Sequence, residues 1–283
     1  MKGKNQKRSQ KRRQKRRRRQ EKSQRRRQGI AAVRQRQDKA IRARFLEGLD
    51  SYEKEYRKLL RQPLVKGLLG VYELEDDEFY NLSADERLQR VGLHGCSAVY
   101  YDVEYDNQPT SAGKQLAAAT ACTSVVRDAK GRLRPAILMR KSFRSDASGD
   151  EGEESRLQTR YAVKLLVLLH EQGHAQDIML GTNYDHRAQK LDIIGAELFA
   201  HSFVCTQAKK RNYRLALGIY LGDLEQKLGS EAEYQRIVAK RFFEENDAAV
   251  LKAFADYFWL DNPQSAEYRM AMRRVLEREM PPL

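Results

Sequence analysis

The pattern of apolar and polar positions changes sharply near residue 29. Residues 1–28 are nearly all Lys, Arg, Gln and Ser, so they cannot bury apolar surface and are predicted to form a disordered tail. From there to Leu60, apolar side chains recur every three or four positions, and Pro63 follows shortly after. This spacing predicts an amphipathic helix or linker over residues 29–62, with Gly48 as a point where it can break.

Strand signals are confined to the middle of the chain. Three segments are rich in apolar and β-branched residues and are predicted to form strands: residues 98–105, 120–126 and 135–143. The turn sequence Asp-Ala-Lys-Gly at 128–131 separates the last two, which predicts a β-hairpin. Before them, Ser83 followed three positions later by Glu86 predicts the capped start of a short helix ending near Val91.

The second half of the chain carries helical periodicity almost throughout. A flexible acidic loop rich in Ser and Gly is predicted at residues 144–155. Helices are predicted after it at these positions: 156–180, 188–209, 212–228, 230–245, 247–259 and 264–278. Strands that precede a run of helices indicate an α+β fold, with a small antiparallel sheet followed by a mostly helical C-terminal half.

Charge is distributed very unevenly along the chain, which has a formal net charge of +15. Residues 1–44 hold 21 basic and 2 acidic residues, whereas the remainder holds 33 basic and 37 acidic ones. A basic tail almost without aromatic residues favours phosphate-directed, sequence-independent nucleic-acid binding through residues 1–28. An anionic membrane, an acidic protein, a localisation signal and a merely solubilising tail remain open alternatives.

The three cysteines, Cys96, Cys122 and Cys205, form no Cys-x-x-Cys pair and are too few for a disulfide framework. They favour a reducing, intracellular location, whether cytoplasmic, nucleoid or nuclear. No transmembrane segment is predicted, because the longest apolar stretch, residues 161–169, is too short and contains Lys164. The sequence leaves the oligomeric state open.

A candidate metal site follows this apolar stretch directly, in the motif His170-Glu171-Gln172-Gly173-His174. Residues four apart on a helix lie about 40° apart in projection, so His170 and His174 share a face and can occupy two corners of a zinc tetrahedron. Glu171 can reach a metal-bound water without binding the metal, and it can act as the general base. Gly173 costs about 1 kcal/mol inside a helix, which suggests a close backbone approach there.

Glu197 is the candidate third ligand for one zinc ion. It lies within residues 191–205, where apolar neighbours make a carboxylate costly unless a cation neutralises it. Pairing with an arginine or with His201 is the alternative. His201 lies one helical turn further on and is a candidate for three roles. It can form a hydrogen bond to a metal ligand, donate a hydrogen bond to the transition state, or compete as the third ligand. The loop at residues 181–186 offers Tyr184 and His186 as further candidate donors to a developing oxyanion.

The motif His170-Glu171-x-x-His174 followed by Glu197 on the next helix resembles the gluzincin metallopeptidases. Its short His-Glu-x-Gly-His form is most similar to the ImmA/IrrE-type peptidases of mobile elements and stress regulation, over residues 135–205. The resemblance implies a zincin-like active-site helix, zinc ligands His170, His174 and Glu197, and Glu171 as the base. It also implies that the strand near 135–143 lies along the cleft and pairs with an extended substrate. Gluzincins often carry an acid where this chain has His201.

These observations predict a zincin-like metallopeptidase domain over residues 63–283, including its C-terminal helices. The predicted activity is zinc-dependent hydrolysis of peptide bonds in a protein or peptide substrate, with a metal-activated water and Glu171 as general base. Two alternatives are a catalytically retired zinc-binding protein and a nucleic-acid-associated scaffold without metal. The intact Glu171 favours the peptidase, because a purely structural zinc site has no use for a base.

Overall fold

The computed structural model describes residues 52–105, 108–110, 120–142, 153–211 and 213–258, together with Arg36. All the elements below belong to one unit, Leu46–Leu283. Several predicted segments lie wholly or largely outside the described residues: the tail at 1–28, the stretch 29–51, the acidic loop at 144–155 and the helix at 264–278.

The described elements alternate between short strands and longer helices. The helices are α1 (Tyr52–Arg61), α2 (Asp76–Asn81), α3 (Ala84–Arg90), α4 (Glu153–Leu180), α5 (Ile193–Lys210), α6 (Arg214–Lys227) and α7 (Glu233–Phe258). The strands are β1 (Val71–Leu74), β2 (Ser97–Val99), β3 (Asp102–Tyr105), β4 (Gln108–Thr110), β5 (Ala121–Arg127), β6 (Leu133–Arg140), β7 (Tyr184–Asp185) and β8 (Lys190–Asp192).

The strands form two small mixed sheets. The first has the order β1-β6-β5-β2, with β1 parallel to β6 and the other pairs antiparallel. The second has the order β4-β3-β8-β7, with β3 parallel to β8. The α+β class is therefore confirmed, but the predicted antiparallel sheet is wrong. The parallel pairs come from β1 and β8, which are too short to show a periodicity in the sequence.

The predicted hairpin is present, and the predicted strand at 98–105 is divided. In the β5–β6 turn, Asp128 Oδ1 accepts the backbone N–H groups of Lys130 and Arg132, and Gly131 adopts φ 75°. Residues 98–105 form β2 and β3, which belong to different sheets. The chain passes between the sheets at an exposed Tyr100 and a buried Tyr101.

Helix ends follow the local sequence signals. Ser83 caps α3 and forms the predicted reciprocal pair of hydrogen bonds with Glu86. Asp192 caps α5 by accepting the backbone N–H of Gly195, so this helix starts later than predicted, directly after β8. The two helices predicted at 230–245 and 247–259 are one continuous helix, α7.

Helix α1 packs against the helical part of the same unit. Tyr52, Tyr56 and Leu59 on one of its faces are buried. The Tyr52 hydroxyl accepts the backbone N–H of Ala216 in α6, and the Tyr213 hydroxyl donates to Glu55. None of the helices in the described part of the chain combines the length and apolarity that crossing a membrane requires.

Candidate metal centre

Helix α4 carries both histidines of the motif within its buried stretch. Leu165, Leu166, Leu168 and Leu169 are almost completely buried, so the side of the helix that leads into the motif is fixed by packing. The two imidazoles project from the same face, and their Nε2 atoms lie 3.1 Å apart. The sequence prediction of a shared helical face for His170 and His174 is met in the structure.

Glu197 reaches the same point from α5. Its Oε2 atom lies 3.3 Å from His170 Nε2, and its Oε1 atom lies 3.6 Å from His174 Nε2. Zinc bonds of 2.0–2.1 Å in a tetrahedron place neighbouring ligand atoms about 3.3 Å apart. The two imidazole nitrogens are 3.1 Å apart, and each lies 3.3 to 3.6 Å from one oxygen of the Glu197 carboxylate, so the spacings are close to those between neighbouring zinc ligands.

His201 offers a second set of candidate ligands with His170 and Glu197. One potential ligand atom from each of these three residues lies within 4.8 Å of the others. However, the His201 Nδ1 atom is 2.5 Å from the hydroxyl of Tyr220 in α6, so that nitrogen is engaged by a hydrogen bond. We favour His174 over His201 as the second histidine ligand, because His174 Nε2 lies 3.1 Å from His170 Nε2 and 3.6 Å from the Glu197 carboxylate.

The charges of the site are mutually compensating even without a metal ion. Burial would raise the pKa of Glu197, but its contacts with His170 and His174 lower it well below its ordinary value. Burial would lower the pKa of His174, but the hydrogen bond to Glu197 and the charges of Glu197, Glu171 and Asp177 raise it to about 9. A proton on His174 thus supplies the positive charge that the buried Glu197 carboxylate needs when no metal ion is bound.

Zinc binding near neutral pH is expected to release about one proton from His174. Its pKa of about 9 lies above its ordinary value of 6.5, so the metal-free site keeps the proton that a metal must displace. The contact between protonated His174 and Glu197 stabilises the folded state fully below pH 6.5, and this stabilisation is lost as the pH rises through about 9. Calorimetric titration with zinc in buffers of different ionisation enthalpy measures the proton count. No release near pH 7 would contradict this electrostatic account.

Glu171 is held beside the site by a threonine that the sequence analysis did not identify. The Thr123 hydroxyl on β5 lies 2.6 Å from Glu171 Oε2 and 2.9 Å from the Glu171 backbone oxygen. The Glu171 side chain is buried, so this contact limits its motion. A lone threonine in a strand has no spacing relation to the motif, and therefore no sequence signal marks it.

The strand next to Glu171 is β5, so the prediction that residues 135–143 pair with substrate is wrong. Strand β6 lies inside the sheet, with β1 on one side and β5 on the other. Strand β2 covers β5 only from Val125 to Arg127. The backbone groups of successive residues in a strand point to alternate sides. The Thr120 carbonyl accepts the N–H of Arg140 in β6, so the backbone groups of Ala121 and Thr123 point away from β6, to the other edge of β5. No described strand pairs with that stretch of the edge.

The two candidate donors of the loop at 181–186 lie in different surroundings. His186 is fully engaged, with Nδ1 2.6 Å from the Tyr101 hydroxyl and Nε2 3.0 Å from the Ile178 carbonyl. Tyr184 packs edge-to-face on Tyr101 in an apolar cluster. Burial, followed by the charges of Asp177, Glu197 and Glu171, raises the Tyr184 pKa. The structure thus gives His186 a structural role, while the donor role of Tyr184 stays a prediction.

A cavity of about 160 Å³ opens beside the motif. Its walls combine aliphatic and polar side chains: Thr120, Val163, Leu166, Val167, His170, Glu171, His201, Tyr220, Asp223 and Lys227. Asp223 and Lys227, two of these lining residues, form an ion pair at 3.3 Å. The cavity therefore joins an apolar wall of α4 to the candidate base.

Gly173 is the point of closest approach between the helices that carry the site. A Cβ atom there would lie 2.7 Å from the Ala200 Cα and 3.1 Å from the Ala200 carbonyl oxygen in α5. Only glycine fits at this position, because any side chain would collide with the backbone of Ala200, which cannot move aside as a flexible side chain can. The close approach inferred from the sequence is present, and it brings Glu197 near the two histidines.

Gly173→Ala is expected to lower the free energy of unfolding by about 1–3 kcal/mol, because the added methyl group overpacks the interface between α4 and α5. This loss should occur although alanine is the better helix former. Zinc affinity should fall as well, because the methyl group pushes α4 and α5 apart and so increases the distance between His174 and Glu197. Chemical denaturation and zinc titration measure both effects. Gly229→Ala is the matched control, because its Cβ would meet only Gln226 O at an ordinary 3.6 Å. Unchanged stability and affinity would contradict the role of Gly173.

Comparisons with protein-family models, with curated proteins and with solved structures give no match to this chain.

Proposed function

We propose that this chain is a zinc-dependent metallopeptidase whose zinc ligands are His170, His174 and Glu197. The observation that carries the proposal is the convergence of three groups: His170 Nε2 and His174 Nε2 are 3.1 Å apart, and they lie 3.3 Å and 3.6 Å from the two oxygens of the Glu197 carboxylate. Two imidazoles and one carboxylate form a donor set used by catalytic zinc sites of hydrolases.

The arrangement favours a catalytic site over a structural one. Structural zinc sites are closed by four protein ligands, whereas catalytic sites keep one position for water or substrate. With His170, His174 and Glu197 as its ligands, a zinc ion would keep one position for water. Glu171 would then lie beside the site as a carboxylate that does not belong to the ligand set.

Zinc in such a site lowers the pKa of a bound water to about 7 and polarises a substrate carbonyl. Glu171 is adjacent in sequence to His170, and its Oε2 atom is held by the Thr123 hydroxyl. Its carboxylate accepts the proton of the attacking water and returns it to the departing amine. Thr123 keeps the carboxylate oriented during this exchange.

Two features next to Glu171 support a peptide as the substrate. The edge of β5 at Ala121 and Thr123 presents backbone groups without a partner in any described strand, and such groups pair readily with an extended chain. The cavity of about 160 Å³, with its aliphatic wall of Val163, Leu166 and Val167, suits one apolar side chain of that peptide.

The proposal is tested with purified full-length protein and a peptide library made by digesting a cell proteome. Metal analysis should give about one zinc per chain, and mass spectrometry should find new peptide ends. A chelator should abolish cleavage and added zinc should restore it. Absence of bound zinc, or cleavage that is insensitive to the chelator, would overturn the proposal.

A further inference from the structure

Tyr220 connects the metal site to His201 through a single hydroxyl group. Its Oη atom lies 2.7 Å from His170 Nδ1 and 2.5 Å from His201 Nδ1. It belongs to α6, a third helix that contributes none of the candidate ligands. Its ring packs against both imidazoles, with centroid distances of 6.3 Å to His170 and 5.4 Å to His201. One side chain therefore touches two histidines that have different tasks.

The number of protons on these groups fixes the direction of both hydrogen bonds. If His170 Nε2 presents its lone pair to zinc, the neutral ring carries its proton on Nδ1 and donates it to the Tyr220 oxygen. A tyrosine hydroxyl has only one proton, and that proton is then left for the second partner. It is donated to His201 Nδ1, which must act as an acceptor.

The consequence for His201 is a defined tautomer. A neutral imidazole that accepts at Nδ1 carries its proton at Nε2, on the other side of the ring. The His201 ring lines the same cavity as His170 and Glu171. The Nε2–H group of this ring is therefore a candidate hydrogen-bond donor in the cavity that Glu171 also lines.

We propose that Tyr220 is a positioning residue that fixes the tautomers of His170 and His201 together. It thereby turns the His170 lone pair to the zinc ion and makes His201 Nε2–H the donor that stabilises the negatively charged carbonyl oxygen during hydrolysis. This inference rests on the proposed function, because the direction of the hydrogen bonds follows from zinc at His170. It assigns to His201 one of the three roles that the sequence left open.

The direct test is imidazole nitrogen NMR of the zinc-loaded wild-type protein. We expect the His201 signals of a single tautomer with the proton on Nε2, and His170 protonated on Nδ1. His201 protonated on Nδ1, on both nitrogens, or present as a mixture of tautomers would overturn the inference. This measurement requires bound zinc and no substrate. A protein that binds no zinc would instead contradict the proposed function itself.

Tyr220→Phe removes only the hydroxyl group and should release both tautomers. In the variant we expect a mixture of His201 tautomers, a 10–100-fold weaker zinc affinity and a similar fall in kcat, with KM nearly unchanged. Tyr234→Phe is the matched control. Tyr234 is also partly buried, and the charges of Glu197 and Glu171 add to the effect of burial on its pKa, but it bonds to neither histidine in the described structure.

Retention of a single His201 tautomer, zinc affinity and kcat in Tyr220→Phe would overturn the positioning role. An equal loss in Tyr234→Phe would do so too, because it would indicate a general disturbance of the site. If Tyr220→Phe fails to fold, the wild-type tautomers still decide the question, since they are measured without any substitution.

Discussion

Glu171→Gln is expected to lower the rate of peptide cleavage by about 10²–10⁴-fold while leaving one zinc bound per chain. The amide has nearly the same shape as the carboxylate, and its oxygen can still accept the hydrogen bond that Thr123 donates to Glu171 in the wild type. It cannot accept a proton from the attacking water. The chemical step should therefore suffer while binding of metal and peptide persists. The rate on the best peptide of the library, together with zinc content, measures the two effects separately.

Glu225→Gln provides the control for the loss of one negative charge, because Glu225 lies in α6 and has no role in the site. Its activity should equal that of the wild type. Wild-type cleavage by Glu171→Gln would contradict the role of Glu171 as the general base. Loss of zinc in Glu171→Gln would contradict the ligand set, because it would make Glu171 a ligand rather than the base.

The sequence predicts those parts of the fold in which a local signal extends over several residues. Helix α4, the β5–β6 hairpin and the capping of α3 follow from periodicity, turn residues and a capping pair. Strands β1, β7 and β8 are two to four residues long, which is too short for an alternation of apolar and polar positions to be recognised. Their pairing is decided by tertiary contacts, and this is why the mixed character of both sheets was missed.

The same distinction holds for the candidate site. Two histidines and Glu171 are found because a helix converts their spacing into a shared face, and Glu197 is found because its surroundings are apolar. Thr123 and Tyr220 come from β5 and α6, elements whose approach to the motif depends on packing. No spacing rule connects them to His170. The residues that hold the chemical groups in position are thus less predictable than the groups themselves.

Removal of the Glu197 carboxylate, as Glu197→Gln, is expected to have the largest effect on metal binding. We expect a zinc affinity lowered by more than the 10–100-fold typical of losing a hydrogen-bond partner outside the ligand set. The charge that raises the His174 pKa to about 9 is lost as well. Burial then dominates, so His174 should be neutral near pH 7 and the proton released by zinc binding in the wild type should disappear. Competition titration and calorimetry measure these two results independently.

Paired histidine variants separate the two possible ligand sets that share His170 and Glu197. His174→Gln should lose zinc to about the same extent as Glu197→Gln, because His174 Nε2 lies 3.1 Å from His170 Nε2 and 3.6 Å from the Glu197 carboxylate. His201→Gln should keep zinc and lose mainly the rate of cleavage. The reverse outcome, zinc retained without His174 and lost without His201, would assign the metal to the set of His170, Glu197 and His201. It would also remove His201 as a hydrogen-bond donor, since one imidazole nitrogen would bind zinc while the other bonds to Tyr220.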